Sequence, residues 1–166
     1  TAFVIERNIV RPMNAFEFFG GYVAPTPPDN QIWYTTSDGK VLNPYDYEYA
    51  KVTFGADVVS NVYADGKGVI TFDGKVTAIA DMAFTASYID SERLTSINIP
   101  DSVTEIGQDA FYGCADLAEV VLHEGVTAIN LFAFSGCVSL TEILLPDSME
   151  NINDQAFYGC TGIKTF

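Results

Sequence analysis

The sequence predicts an α+β solenoid of stacked repeats, built from short parallel β-strands and single helical turns and preceded by a β-hairpin cap. Three features recur: an Ala-Phe pair, a cysteine three residues after the last three of those Phe residues, and an apolar L-x-x-L-x-L pattern. The last three copies lie 23 residues apart. The recurring positions are Ala83-Phe84, Ala110-Phe111, Ala133-Phe134 and Ala156-Phe157, the thiols of Cys114, Cys137 and Cys160, and the triplets that begin at Leu94, Leu117 and Leu140.

This period and pattern are typical of the leucine-rich repeat, whose units have about 20–29 residues. A single unit has too few apolar residues to enclose a core, but stacked units bring each Leu, Ile and Phe beside its equivalent. Their parallel strands then lie about 4.8 Å apart. Because each fully buried side chain contributes about 1.5–3 kcal/mol, the repeats are expected to be stable only as a set.

Length and charge restrict the classes of function. The 166 residues correspond to about one ordinary domain. The formal net charge of −14 argues against nucleic acid as a partner, because its phosphates would be repelled. No stretch approaches the roughly 18 consecutive apolar residues that cross a bilayer, so no membrane insertion is expected. An acidic surface favours basic partners or divalent cations.

Residues 1–30 are predicted to form an aromatic arm followed by a stiff, Pro-rich spacer. The aromatic residues that would act as an anchor are Phe16, Phe18, Phe19 and Tyr22. The arm either folds back on the body or docks on another chain. The first residues have no signal-peptide pattern, so either a signal was cleaved before Thr1 or the protein was never exported.

Residues 31–69 are predicted to form the cap as two β-hairpins, because each contains an Asp-Gly pair, a strong hairpin-turn signal. The predicted strands are 32–36 and 40–42 in the first hairpin, and 58–63 and 68–72 in the second. Tyr45, Tyr47 and Tyr49 alternate with acidic residues, which predicts an extended strand with the three rings on one face. The cap would cover the apolar layer of the first repeat.

Residues 70–166 are predicted to hold about four repeats, the last of them incomplete. In one unit, strand 96–99 leads through a turn and a short extended piece to a single helical turn at 109–112. Four extra residues between 87 and 93 are predicted to bulge from a turn. A further unit begins at Ile163 and stops halfway, so we expect an open sheet edge that more chain, a partner or a second copy would cover.

The repeats resemble a known family in their sequence motifs. Residues 94–114 carry the patterns I-P-x-S-V-T-x-I and A-F-x-x-C, and residues 140–149 repeat the first part of this stretch as L-T-E-I-L-L-P-D-S-M. Over residues 68–166 the chain is similar to BspA-like leucine-rich repeat proteins. The segment 32–40 also resembles sequences that precede such repeats in surface proteins of gut bacteria. The resemblance implies an exported, surface-associated, non-enzymatic protein, without catalytic residues or cofactors. Several members are implicated in adhesion to host matrix proteins or other cells.

The cysteines and the single histidine invite a chemical interpretation that their spacing does not favour. The thiols are 23 residues apart and lack the close C-x₂-C pairs of zinc sites, so we expect them to pack as a ladder in the core. His123 stands where Pro100 and Pro146 stand in the neighbouring repeats, which predicts a solvent-facing turn residue. No D-x-D-x-D-G run predicts a calcium loop.

The outer side of the strand column is the candidate binding surface. In L-x-x-L-x-L the apolar residues point inward, so the alternate residues face solvent and form two stripes, one ending in acidic and one in apolar side chains. The predicted partner-binding residues are Asn98, Glu119, Val121, Glu142 and Leu144, together with Tyr45, Tyr47 and Tyr49. The alternative is a solvated sheet with no partner.

Two functions are therefore expected. In the first, the chain is the protein-interaction or adhesion module of a bacterial surface protein, located extracellularly or at the cell surface. In the second, it is a decoration or fibre protein of a phage particle, located in the virion and anchored by its N-terminal arm. A second copy is a further candidate partner, through the arm or the open C-terminal edge.

Overall fold

The structure, a computed structural model, describes residues 3–6, 9–12, 25–46 and 48–164. The strands are β1 (Phe3–Glu6), β2 (Ile9–Pro12), β3 (Gln31–Thr36), β4 (Val58–Ala64), β5 (Lys67–Phe72), β6 (Ala78–Ile79), β7 (Leu94–Asn98), β8 (Glu105–Ile106), β9 (Glu119–Val121), β10 (Ala128–Ile129) and β11 (Asn151–Ile152). A 3₁₀ helix, Ser91–Arg93, is the one helix among these residues. The predicted anchor residues Phe16, Phe18, Phe19 and Tyr22 lie outside the described residues.

The strands form three sheets. β1 and β2 pair antiparallel with each other. A five-stranded mixed sheet has the order β4-β5-β3-β7-β9, and a four-stranded sheet has the order β11-β10-β8-β6. In the four-stranded sheet and between β7 and β9 the strands run parallel, as stacked repeats require. The apolar side chains between these two sheets are buried in one continuous core.

The repeats stack through their phenylalanines. The rings of Phe84, Phe111, Phe134 and Phe157 follow one another with centroids 5.4, 5.0 and 5.4 Å apart and planes within 7° of parallel. The predicted contact of these equivalent rings is confirmed. The first three rings are fully buried.

The predicted helical turn in each repeat is wrong, because the chain makes a series of non-helical turns there. The residue before each Ala-Phe pair has a positive φ, between 53° and 59°, which interrupts a right-handed helix. These residues are Met82, Asp109, Phe132 and Gln155. The Phe N–H then donates to the Ala carbonyl of the next repeat, as from Phe111 to Ala133 at 2.7 Å.

The second predicted hairpin is confirmed. β4 and β5 pair antiparallel around Asp65 and Gly66, whose φ values of 50° and 78° match the positive values of a type I′ turn. The first predicted hairpin is wrong, because residues 40–42 form no strand. β3 instead lies between β5 and β7 and pairs antiparallel with both, so neither of its edges remains for residues 40–42.

The four-residue insertion is hydrogen-bonded to the segment that follows β3. Arg93, at the end of the 3₁₀ helix, donates from its guanidinium to the carbonyls of Lys40 and Val41 at 3.2 and 2.7 Å. Its Nη1 also lies 2.8 Å from Oδ1 of Asp38. The bulge predicted between residues 87 and 93 is therefore a joint between the N-terminal part of the chain and the repeats.

Candidate functional site

The outer face of β7 and β9 has the predicted register. Ser96 pairs with Glu119 and Asn98 with Val121, so the two expected stripes cross these strands in line. One repeat further on, Glu142 is a single bridged residue rather than part of a longer strand. The alignment of the stripes follows from the 23-residue period of the sequence.

The part of this face formed by β7 is covered, so the prediction that Asn98 faces solvent is wrong. The Asn98 side chain is completely buried, and its Nδ2 donates to the carbonyl oxygen of Pro25 at 3.0 Å. Ser96 is also buried, with its hydroxyl 2.6 Å from that of Thr35. Strand alternation correctly gave the outward direction, but it carried no information about the earlier segment that packs over Asn98.

His123 belongs to the same buried polar cluster and is not the solvent-facing residue that its turn position predicts. Its side chain is only 10% exposed. Nε2 lies 2.9 Å from Oδ1 of Asn98, and Nδ1 lies 3.3 Å from Oδ1 of Asp101. Burial lowers the pKa of His123, and the Asp101 carboxylate opposes this effect. The imidazole therefore joins two repeats, and its partner Asn98 links them to the segment before β3.

The part of this face formed by β9 and by the following repeat, which we call the strand face, remains accessible. Glu119, Val121 and Glu142 are partly exposed, and the side chain of Leu144 is 49% exposed. Two carboxylates one repeat apart thus lie beside two apolar side chains one repeat apart. An acidic and apolar surface of this kind suits a partner that presents both basic and apolar groups.

The tyrosines between β3 and β4 do not form the predicted strand, because residues 41–46 are irregular and 48–49 form a turn. The ring of Tyr45 stacks on that of Tyr88 from the insertion, with centroids 4.8 Å apart and planes at 15°. Tyr49 is 73% exposed. Tyr47 lies outside the described residues. Tyr45 therefore lies in a ring pair, whereas most of the surface of Tyr49 is exposed.

A pocket of about 210 Å³ lies beside this ring pair, and the sequence prediction missed it. Its lining residues are Met82, Thr85, Ser87, Tyr88, Asp109 and Tyr112. The signal that could have found it is the insertion at 87–93, which adds an aromatic residue to the edge of one repeat only. We refer to it below as the insertion pocket.

The cysteines form the predicted core ladder. Cys114 and Cys137 are buried free thiols and Cys160 is half-buried. Each thiol donates to a phenylalanine carbonyl at 2.9–3.2 Å. Burial raises the pKa of Cys114 to about 12, and Cys160 is the most accessible of the three thiols. These contacts give the thiols a packing role.

Within residues 25–46 and 48–164, no three His, Cys, Asp or Glu side chains are grouped so that they could hold a metal ion. The described residues also include no helix with the length and apolar character needed to cross a bilayer.

Comparisons with known proteins agree with the stacked repeats. The model of the BspA type leucine-rich repeat region matches residues 77–166 in six copies. A leucine-rich repeat protein from Bacteroides capillosus ATCC 29799 is 30% identical with a TM-score of 0.50, over 84% of this chain and 94% of that one. One from Bacteroides ovatus ATCC 8483 is 25% identical with a TM-score of 0.49, over 72% of this chain.

The chain spans about a third of the length of the Bacteroides ovatus protein, since the match covers 32% of that chain. A search of the curated proteins finds no match. The family model covers more than half of the 166 residues and includes every repeat with the Ala-Phe and cysteine pattern. The chain belongs to the BspA-type leucine-rich repeat family.

Proposed function

We propose that this chain is a non-enzymatic module of a bacterial surface protein, in which the repeats form a solenoid that binds a basic protein partner. Repeats of this family generally act as protein-interaction modules, and the proteins that contain them are typically secreted or exposed at the surface. The comparisons lend no support to the phage-particle alternative.

The observation that carries the proposal is the accessibility of the strand face. Glu119 and Glu142 stand one repeat apart beside Val121 and Leu144, and Leu144 is 49% exposed although it lies next to charged groups. In a chain with a net charge of −14, this surface would attract a basic partner over a distance and hold it through apolar contact. The exposed ring of Tyr49 would extend the binding surface.

The test reverses the charge of this face. A synthetic peptide of alternating Lys and Leu residues serves as the probe, and its affinity is measured by calorimetry at low and at physiological salt. We expect the double substitution Glu119→Lys with Glu142→Lys to abolish binding and to leave the thermal unfolding midpoint nearly unchanged. The control is Asp57→Lys with Asp154→Lys, which changes the net charge equally at exposed positions outside the face.

Loss of peptide binding in both double variants would reduce the interaction to net charge and overturn the proposed face. Unchanged affinity in the Glu119 and Glu142 variant would do the same. Binding that is lost only in that variant, and that weakens with salt, supports the proposal. The same pair of variants can then be used with immobilised extracellular matrix proteins.

A further inference from the structure

The insertion pocket is built where two repeats meet the extra residues. Met82 and Thr85 come from one repeat, and Asp109 and Tyr112 come from the equivalent positions of the next repeat. Tyr88, from the insertion, forms the wall. Later repeats have no insertion, so the same positions there lack this wall.

Tyr88 and Asp109, two of the lining residues, also make contacts outside the pocket that fix their positions. The Tyr88 ring stacks on Tyr45, and the backbone N–H of Tyr45 donates to the carbonyl of Ala83 at 2.7 Å. The backbone N–H of Asp109 donates to the carbonyl of Leu131 at 3.0 Å. The Asp109 side chain accepts a hydrogen bond from Gln108 at 3.1 Å. A ligand would therefore find the aromatic and acidic groups already positioned.

The lining chemistry favours a cation. Tyr88 and Tyr112 are 59% and 41% exposed, so both rings remain accessible to a ligand. Asp109 supplies a carboxylate, which has about four acceptor positions and accepts one hydrogen bond from Gln108. No Lys, Arg or His is among the lining residues, so an anion would meet the Asp109 carboxylate without any cationic side chain to offset it. The chain already uses this type of contact elsewhere, since Nζ of Lys67 lies 4.0 Å above the Trp33 ring.

We propose that the insertion pocket binds one arginine side chain of a protein partner. Its volume of about 210 Å³ is below the roughly 300–1,000 Å³ of pockets that hold whole small molecules, which suits a single side chain. The planar guanidinium lies flat on aromatic rings and pairs with a carboxylate through two parallel N–H groups, whereas an ammonium makes both contacts only as a point charge. The inference shares with the proposed function the assumption of a protein partner, but it depends on different residues.

The test uses N-acetyl-arginine methylamide as the probe and follows the tyrosine ring signals by NMR. We expect saturable shifts of the Tyr88 and Tyr112 signals, with a dissociation constant on the order of 1–10 mM. The citrulline analogue has nearly the same shape without the charge and is expected to cause no saturable shift. The lysine analogue should bind several-fold more weakly.

Three variants locate the site. Asp109→Asn keeps a residue that tolerates positive φ and should weaken arginine binding about tenfold, the loss of one charge-assisted hydrogen bond. Tyr112→Leu should also weaken it. The matched control is Tyr158→Leu, because Tyr158 is the equivalent exposed tyrosine of a repeat without the insertion and should have no effect.

Equal shifts from arginine and citrulline, or unchanged affinity in Asp109→Asn, would overturn the proposal. Saturable binding of maltotriose to the same rings without arginine binding would also overturn it and would identify a carbohydrate site. The Glu119→Lys with Glu142→Lys variant should bind the arginine probe normally. The experiments can therefore refute the proposal for the strand face without refuting the proposal for the insertion pocket, and the reverse.

Discussion

Replacing one phenylalanine of the stack tests the central packing of the repeats. Phe134 is fully buried and lies between two rings, 5.0 Å from Phe111 and 5.4 Å from Phe157. Buried Phe→Ala changes cost about 3–5 kcal/mol, and an aromatic pair contributes about 0.5–1.5 kcal/mol beyond its buried area. The measured Phe→Ala range already includes such pairs, and because two of them are lost we expect Phe134→Ala to lie in its upper part, at about 4–5 kcal/mol of unfolding free energy.

Phe157 provides the matched comparison. It is only partly buried, whereas Phe134 is fully buried, so Phe157→Ala should cost about half as much as Phe134→Ala. The measurement is urea unfolding followed by circular dichroism and by the fluorescence of Trp33, the only tryptophan. At about 2–4 °C per kcal/mol for a chain of this length, Phe134→Ala should also lower the melting temperature by roughly 8–20 °C.

Two results would refute this reasoning. A Phe134→Ala variant within about 1 kcal/mol of the parent would mean that the ring stack contributes little to stability. A Phe157→Ala variant as unstable as Phe134→Ala would mean that the full burial of the Phe134 ring is not the source of the cost. Different unfolding midpoints from the two signals would show that the repeats near Phe134 unfold separately from β3.

Three further predictions concern polar and thiol groups. Asp81 is buried and accepts three backbone N–H groups, so Asp81→Asn should cost about 2–3 kcal/mol in urea unfolding. Cys160 should react with Ellman's reagent in the native protein, whereas Cys114, with its pKa near 12, should react only in denaturant; equal rates would contradict the ladder. Burial lowers the pKa of His123 below its ordinary 6.5, so the unfolded chain binds that proton more readily and stability falls as the pH drops below about 6.5. His123→Gln should lose this part of the pH dependence between pH 7.5 and 5, and a parallel pH profile for both proteins would disprove it.

The repeat period carried most of the information that the sequence held about the fold. It placed the phenylalanines in a row and the cysteines in the core, because both depend only on equivalent residues meeting in stacked units. It could not show how the backbone turns between strands. The left-handed residues before each Ala-Phe pair include Met82 and Phe132, which are not residue types that suggest a positive φ.

Predictions failed where a residue's neighbours come from distant parts of the chain. Asn98 alternates correctly with inward-facing Ile97, yet Pro25 covers it from 73 residues away. Residues 40–42 follow a good turn signal, but β5 and β7 occupy both edges of β3. Local patterns gave the direction of each side chain and the position of each turn. They did not give the partner that each edge or face would meet.

The irregular features of the repeats gather at their junction with the N-terminal part of the chain. Arg93 donates hydrogen bonds to the carbonyls of Lys40 and Val41. Asp81 accepts hydrogen bonds from the backbone N–H groups of Lys51 and Val52. Tyr88 lies in the same insertion as Arg93, so the insertion pocket and the joint depend on the same extra residues. Adding or removing a repeat beyond this junction would change the length of the strand face and leave the pocket intact. The two proposed surfaces can therefore vary independently, one with repeat number and the other with the sequence of the insertion.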